Sequence, residues 1–265
     1  VRSPDYTMQL LTDTAAILRY RYRYRGYIHL KIIPGASDAA IRHALSLASA
    51  VSLNIEAPGR THFARLSSYK DYDRDIIAPL KLMAEETAKG ADYSRVRCTT
   101  QFIVGASDES DREIVRYMDG IYNRLKFERV YFSAYQTGLG RPELPGEQRF
   151  TLSADDRLTR EHRLYQVDFL MRTYNFQADE ILYGPDGNLD LTRDPKETWA
   201  LFHPEFFPVR LNSADRQALL RIPGIGPVSA KLILKCRKQF RIHSFAEIGI
   251  RGKLAEKAAK YTDFS

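Results

Sequence analysis

Four short apolar runs alternating with helical patterns constrain this chain more than any other feature. The runs Tyr27 to Ile33, Val51 to Ile55, Thr99 to Val104 and Val130 to Tyr135 have the length and the β-branched and aromatic content of strands. Ahead of the first lies a helical pattern over residues 5–19, with Met8, Leu11, Ala15 and Leu18 on one face. Helices are predicted over Ser37 to Ala50, with Ser37 as N-cap, over Asp73 to Lys89, with Pro79 a candidate kink, and over Asp108 to Leu125. Strands joined by helices imply parallel crossovers, hence an α/β layer or barrel. Four strands cannot close a barrel of the common eight-stranded form. A leading helix with no strand before it, in a chain that starts at Val1 and not at methionine, gives the expectation that earlier strands are absent.

Hydrophobic residues at 44% can fill a core, while 28% charged residues and no run of 18 apolar residues exclude a membrane-spanning helix. No signal peptide is visible, and the expected location is cytoplasmic. Cys98 and Cys236 are too far apart to form a CxxC or CxxxCxxC motif, and two reduced thiols are expected. The six histidines show no HxH or HExxH spacing, so no metal site is expected from them.

The charge is uneven. The chain carries 40 Lys and Arg against 33 acids; residues 209–265 hold 12 basic residues against four acids, Asp215, Glu247, Glu256 and Asp263, leaving 28 against 29 elsewhere. The net +7 therefore resides in the C-terminal tail, which suits a polyanionic partner. Within it, Leu219 to Leu232 reads LLRIPGIGPVSAKL between helical patterns at Ser213 to Arg221, capped by Asn212 or Ser213, and at Val228 to Gln239. Two glycines let the backbone adopt positive φ and approach a ligand, and the helix that follows offers free N–H groups and a positive dipole end. Pro227 removes one donor, leaving Gly224, Gly226 and Val228 as candidate donors to a phosphate. PGIG in this setting resembles the helix-hairpin-helix motif, which implies binding of a DNA phosphate without reading sequence. Lys231, Lys235, Arg237, Lys238 and Arg241 follow it, and a weaker second hairpin is expected at Ile248 to Gly252, ahead of a basic helix from Lys253 to Lys260. Base-excision glycosylases share the motif, but Val228 stands where their lysine would sit, and Ala246 and Glu247 lie where their aspartate would, so that activity is disfavoured.

The segments RSPDYTMQLL, GYIHLKIIPGA, VSLNIEAP, TTQFIVGASDESDREI, RVYFSAYQ and DPKETWALFHPEFFPV, followed by the hairpin, resemble in their order radical S-adenosylmethionine proteins of the DNA-modification or repair type. The resemblance runs over nearly the whole chain. It implies a partial (β/α) barrel over residues 1–137, a mostly helical connector packed on it over 138–208, and a small all-α helix-hairpin-helix domain over 209–265. It also implies S-adenosylmethionine and a [4Fe–4S] cluster on a CxxxCxxC loop after the family's first strand. That loop is absent here, so the chain reads as an N-terminally truncated piece whose cluster would come from a missing segment or a partner chain. By the same resemblance, Asn54 and Glu56 would meet the cofactor's ribose hydroxyls, and Gln101 with the backbone of Val104, Gly105 and Ala106 would lie near its adenine. Tyr131, Ser133 and Tyr135 alternate, so one set would point inward, and Glu109 either joins this site or starts a helix. The alternative is a non-catalytic DNA-binding protein whose α/β part only carries the hairpin.

Two further stretches have local readings. Arg19 to Arg25 alternates arginine and tyrosine, a pattern that could stack on bases or form a wetted connector. Asp194-Pro195-Lys196-Glu197 is a helix start with Asp194 as cap and Glu197 reaching back, and Trp199, Phe202, Phe206 and Phe207 are expected to pack together.

Overall fold

The computed structural model describes residues 3–138, 140–148 and 152–265. The chain divides into two units, Val1–Glu161 and His162–Ser265. In the first, strands β1 (His29–Lys31), β2 (Ala50–Ser52), β3 (Arg97–Val104) and β4 (Arg129–Ala134) form a four-stranded sheet in the order β1-β2-β3-β4, with all neighbours parallel. The protein is thus α/β, as the alternation predicts. Sequential order with right-handed crossovers brings each connecting helix back over the same face of the sheet.

The pleat sorts the strand residues into two sets. The register pairs Leu30 with Val51, Val51 with Cys98, Thr100 with Val130 and Phe102 with Phe132, and all of these are buried. The Cys98 thiol lies against Thr87 and the Met83 carbonyl, which puts this set under the helices. The alternate set, with Lys31, Asn54, Gln101, Tyr131 and Ser133, carries the polar side chains. Parallel sheets are usually apolar on both faces. A polar second face marks a surface with another use.

Helices α1 (Pro4–Ala16), α2 (Asp38–Leu47), α3 (Arg60–Leu66), α4 (Ala78–Glu86) and α5 (Asp111–Asn123) accompany the sheet. Ser37 caps α2 as expected, its hydroxyl accepting from the Ala40 N–H at 3.3 Å, but the helix stops at Leu47 because Ala50 already pairs in β2. The predicted helix over Asp73 to Lys89 is in fact a wide π-turn, Asp73–Ile77, followed by α4; Pro79, with no N–H for a carbonyl one turn back, marks the junction. The short α3 was not legible because only Phe63 is buried on it. Helix α5 starts at Asp111, not Asp108, since Ser110 and Glu113 form a reciprocal capping box.

After α6 (Pro145–Gln148), the long α7 (Ala154–Tyr174) contains the boundary between the units. The second unit continues with α8 (Pro195–Phe202), β5 (Val209–Arg210), α9 (Arg216–Arg221), α10 (Pro227–Cys236), α11 (Lys253–Ala259) and β6 (Thr262–Asp263), which pairs with β5. Its core is built from Leu219, Leu220, Ile222, Ile225, Ala230, Ile233, Ile242, Phe245, Ile248 and Ala258.

Residues 162–208 join this core. Arg221 forks onto the Glu180 carboxylate at 2.6 and 3.1 Å and lies over Phe176 and Trp199. The break expected near residue 208 therefore falls inside the second unit. Asp194 caps α8 through the Glu197 N–H at 2.9 Å, but Glu197 does not reach back: its carboxylate takes Lys257 Nζ at 2.6 Å, and Asp194 takes the same ammonium at 2.9 Å. Trp199 packs with Phe176, Phe206 and Phe207, whereas Phe202 is 70% exposed and outside the cluster. The cap of α9 is Asp215, not Asn212 or Ser213; Asn212 instead holds Ile242 and Phe264 by their backbones.

Candidate functional site

The turn between α9 and α10 is where the strongest sequence motif lies. Ile225 N–H closes on the Ile222 carbonyl at 3.1 Å, Gly224 has φ +88°, and Gly226 is the N-cap of α10 with no side chain to fill that role. Gly224 is required twice over: its φ suits glycine, and a Cβ there would collide with the Leu254 carbonyl oxygen of α11. Gly226 is extended, and a Cβ would stand 3.3 Å from the Tyr174 hydroxyl, a tight but local contact. Among the described residues, no protein acceptor meets the N–H groups of Gly224, Gly226, Val228 or Ser229. Helix starts ordinarily cover such donors with a capping side chain. Val228 beside them is 83% exposed.

The second glycine turn expected nearby is also present. Gly249 and Gly252 both have φ +75°, and Gly252 precedes α11.

The cations around the turn divide by role. Lys231, Lys235, Lys238 and Arg241 are exposed. Arg237 belongs with the structural arginines, because its guanidinium donates to the Leu211 and Ala214 carbonyls.

Lys196 is the group that sequence reasoning missed. It is 7% exposed, its Nζ donates to the Ile225 carbonyl at 2.5 Å, and it sits 4.6 Å from the centre of the Tyr174 ring. Burial brings its pKa down to about 7, with Arg221 and Lys257 acting in the same sense and Asp194 against them. A lysine in the first turn of a helix opposes the dipole, which was the signal available in the sequence. Its ammonium holds the Ile225 carbonyl on the side facing the core, in the middle of the peptide run whose N–H groups are free.

In the first unit, Asn54 and Glu56 come together. The Thr100 hydroxyl accepts from the Ile55 N–H at 3.0 Å and donates to the Leu53 carbonyl at 2.7 Å, replacing a backbone ladder partner. The chain then turns through Glu56, at φ +65°, whose N–H and C=O pair with Gln101 and Ile103. The Asn54 side chain bonds Glu56, and its Oδ1 accepts from Lys31, a residue not anticipated for this site. Burial raises the Glu56 pKa, opposed by Asn54 and Lys31; burial lowers that of Lys31, opposed by Glu56. Gln101 is half-buried beside them. On the same face, Thr99 Oγ1 and Arg129 Nε are buried without a partner among the described residues, and Tyr131 is 41% exposed. Tyr135 donates instead to Glu147 at 2.8 Å.

The backbone of Val104, Gly105 and Ala106 is already engaged. Glu109 accepts from the Gly105 N–H at 2.5 Å and from the Ser107 N–H at 3.0 Å, the Val104 carbonyl takes the Tyr135 N–H at 2.9 Å, and the Ala106 carbonyl takes the Gly146 N–H at 3.1 Å. Glu109 is buried, and Arg160 binds both its carbonyl, at 2.8 Å, and the Asp111 carboxylate, at 2.7 Å. Glu109 is therefore a loop clasp.

In the Arg19 to Arg25 run, Arg19 holds the Leu47, Tyr24 and Gly26 carbonyls, while Tyr20, Tyr22 and Tyr24 are exposed. Among the described residues, no group of three His, Cys, Asp or Glu side chains could hold a metal ion, and no helix is long and apolar enough to cross a membrane. The Cys98 thiol is buried and pushed up to about 11. No protein family, curated protein or solved structure matches the chain.

Proposed function

We propose that this chain binds the phosphate backbone of DNA, without reading sequence, through the α9–α10 turn acting as a helix-hairpin-helix. The observation that carries the reading is the set of four N–H groups, on Gly224, Gly226, Val228 and Ser229, that meet no acceptor among the described residues at the start of α10. Exposed Lys231, Lys235 and Lys238 add the positive field that steers a polyanion to them. A duplex titration read by fluorescence anisotropy tests it. Affinity should be equal across sequences and fall steeply with salt, and each of Lys231→Gln, Lys235→Gln and Lys238→Gln should reduce the salt slope by about 1. Binding that ignores salt, or that survives Gly226→Val unchanged, would sink the assignment.

The α/β body fits, as the second half of the proposal, a partial barrel of radical S-adenosylmethionine type. Sequential parallel strands with polar groups at their ends support this, and Asn54 and Glu56 would hold the ribose hydroxyls of the cofactor, with Gln101 beside them. The Gly105 N–H and the Val104 and Ala106 carbonyls are already taken, so the backbone of 104–106 would contribute mainly shape. A [4Fe–4S] cluster does not fit the thiols present, because Cys98 is buried under α4 with a raised pKa and Cys236 is the only other cysteine. That same observation favours the second reading, a non-catalytic DNA-binding protein. Calorimetry with S-adenosylmethionine separates the two: binding lost in Asn54→Ala supports the first, and no binding by the intact chain leaves the second.

A further inference from the structure

A cavity of about 740 Å³ lies in the first unit on the helix side of the sheet, away from the polar strand face. Its floor is apolar, formed by Ile55, Ile77, Leu80, Ile121 and Leu125, and its volume falls within the range of small-molecule sites. Four cations line it. Arg60 is paired with Asp73, whereas Lys81, Arg116 and Arg124 have no carboxylate partner among the described residues. The one carboxylate in the lining, Glu113, is already occupied by the Ser110 N–H and by His62 Nε2 at 3.1 Å.

Two glycines shape this space. Gly120 is buried in the last turn of α5, a helical position where glycine is disfavoured relative to alanine. A Cβ there would stand 2.7 Å from Arg124 Nη2, so the missing side chain is what lets that guanidinium fold back along the helix. It thereby comes to the level of residue 120, one turn from Arg116, where two forks can address one group. At the other end Gly59, at φ +107°, leaves room for the Tyr117 hydroxyl, which a Cβ would meet at 2.7 Å.

We propose that this cavity binds an organic phosphate, with its apolar body on Leu80, Ile121 and Leu125 and its phosphate on Arg116 and Arg124. Phosphate is the anion that two guanidinium forks and an ammonium match in charge and geometry. The apolar floor selects an organic ester over the free ion. The site is separate from the α9–α10 turn and does not rest on that turn binding DNA.

The test is calorimetric titration of the full chain with 4-methylumbelliferyl phosphate, 4-methylumbelliferone and inorganic phosphate. The ester should bind one to one, and each of the other two at least tenfold more weakly. Arg116→Gln with Arg124→Gln, both at exposed positions, should weaken the ester at least tenfold with the melting temperature kept. Leu125→Trp, which fills the floor, should weaken it while leaving the arginines in place. Excess duplex DNA should not displace the ester. The proposal is overturned by inorganic phosphate binding as tightly as the ester, by unchanged affinity in the double variant, or by displacement with duplex.

Discussion

Of the glycine turns that lead into a helix in this molecule, two have opposite fates. At Gly105 to Ser107, ahead of α5, the N–H groups of Gly105 and Ser107 converge on the Glu109 carboxylate. At Gly224 to Ser229, ahead of α10, the N–H groups of Gly224, Gly226, Val228 and Ser229 meet no acceptor among the described residues. Both are cradles for an anion. The first is filled from within by an acidic side chain that Arg160 secures; the second keeps its donors for the phosphate proposed above. Glycine before a helix is therefore insufficient evidence of a binding site, and what decides is whether a carboxylate of the same chain reaches the donors first.

The comparison can be broken most severely at Arg160. Replacing it with methionine leaves Glu109 and Asp111 buried without their cation, and denaturation of the chain should show a loss of about 3–5 kcal/mol. A loss under 1 kcal/mol would mean that the clasp is not held by charge. Next in size is Gly224→Ala, which combines an unfavourable φ with a collision against α11 and should cost about 1–3 kcal/mol. Gly226→Ala should cost less than half of that, as its backbone is ordinary, while still weakening duplex binding through the crowded approach to the donors. If both variants melt alike, the division between a structural and a ligand-facing glycine fails.

A smaller effect sharpens the open turn. Lys196 has its pKa lowered by burial to about 7, far below the value of an unfolded lysine. The unfolded chain therefore binds more protons between pH 7 and 10, so this group makes the second unit gain stability as pH rises through that window and lose it as pH falls toward 7. Phosphate binding works in the reverse sense. An anion on the turn favours the charged ammonium behind Ile225, so duplex affinity should decline as pH rises past 7. Lys196→Met should flatten both profiles, and a wild-type pH profile that Lys196→Met leaves unaltered would remove the lysine from the account. Smallest of all, Phe202→Ala should change stability by less than about 0.5 kcal/mol, because that ring is outside the Trp199 cluster.

Legibility followed the range of the interaction. The four strands, the caps Ser37 and Asp194, and the PGIG turn were read from neighbours a few residues apart, since period-two burial, N-capping and positive φ are local properties. Misreadings arose where a distant group intervened. Glu197 looked like a capping-box partner, but Lys257, 60 residues on, competes for its carboxylate. Arg237 counts in sequence among the basic residues flanking the turn, but two carbonyls of the α9 approach claim it. Asn54 and Glu56, named as candidates from one stretch of sequence, do share a side-chain hydrogen bond, while Lys31 beside them was not foreseen, for it comes from another strand.

The sequence by itself determined the α/β class, the parallel strands and the glycine turn with its basic flank, because backbone preference and hydrophobic period act over one or two turns of chain. Tertiary structure alone decided which donors remain free. Whether an N–H meets Glu109 or nothing, and whether a lysine is solvated or buried against Ile225, depends on residues brought together from far along the chain. Desolvation and pairing of those groups are set only once the units have folded.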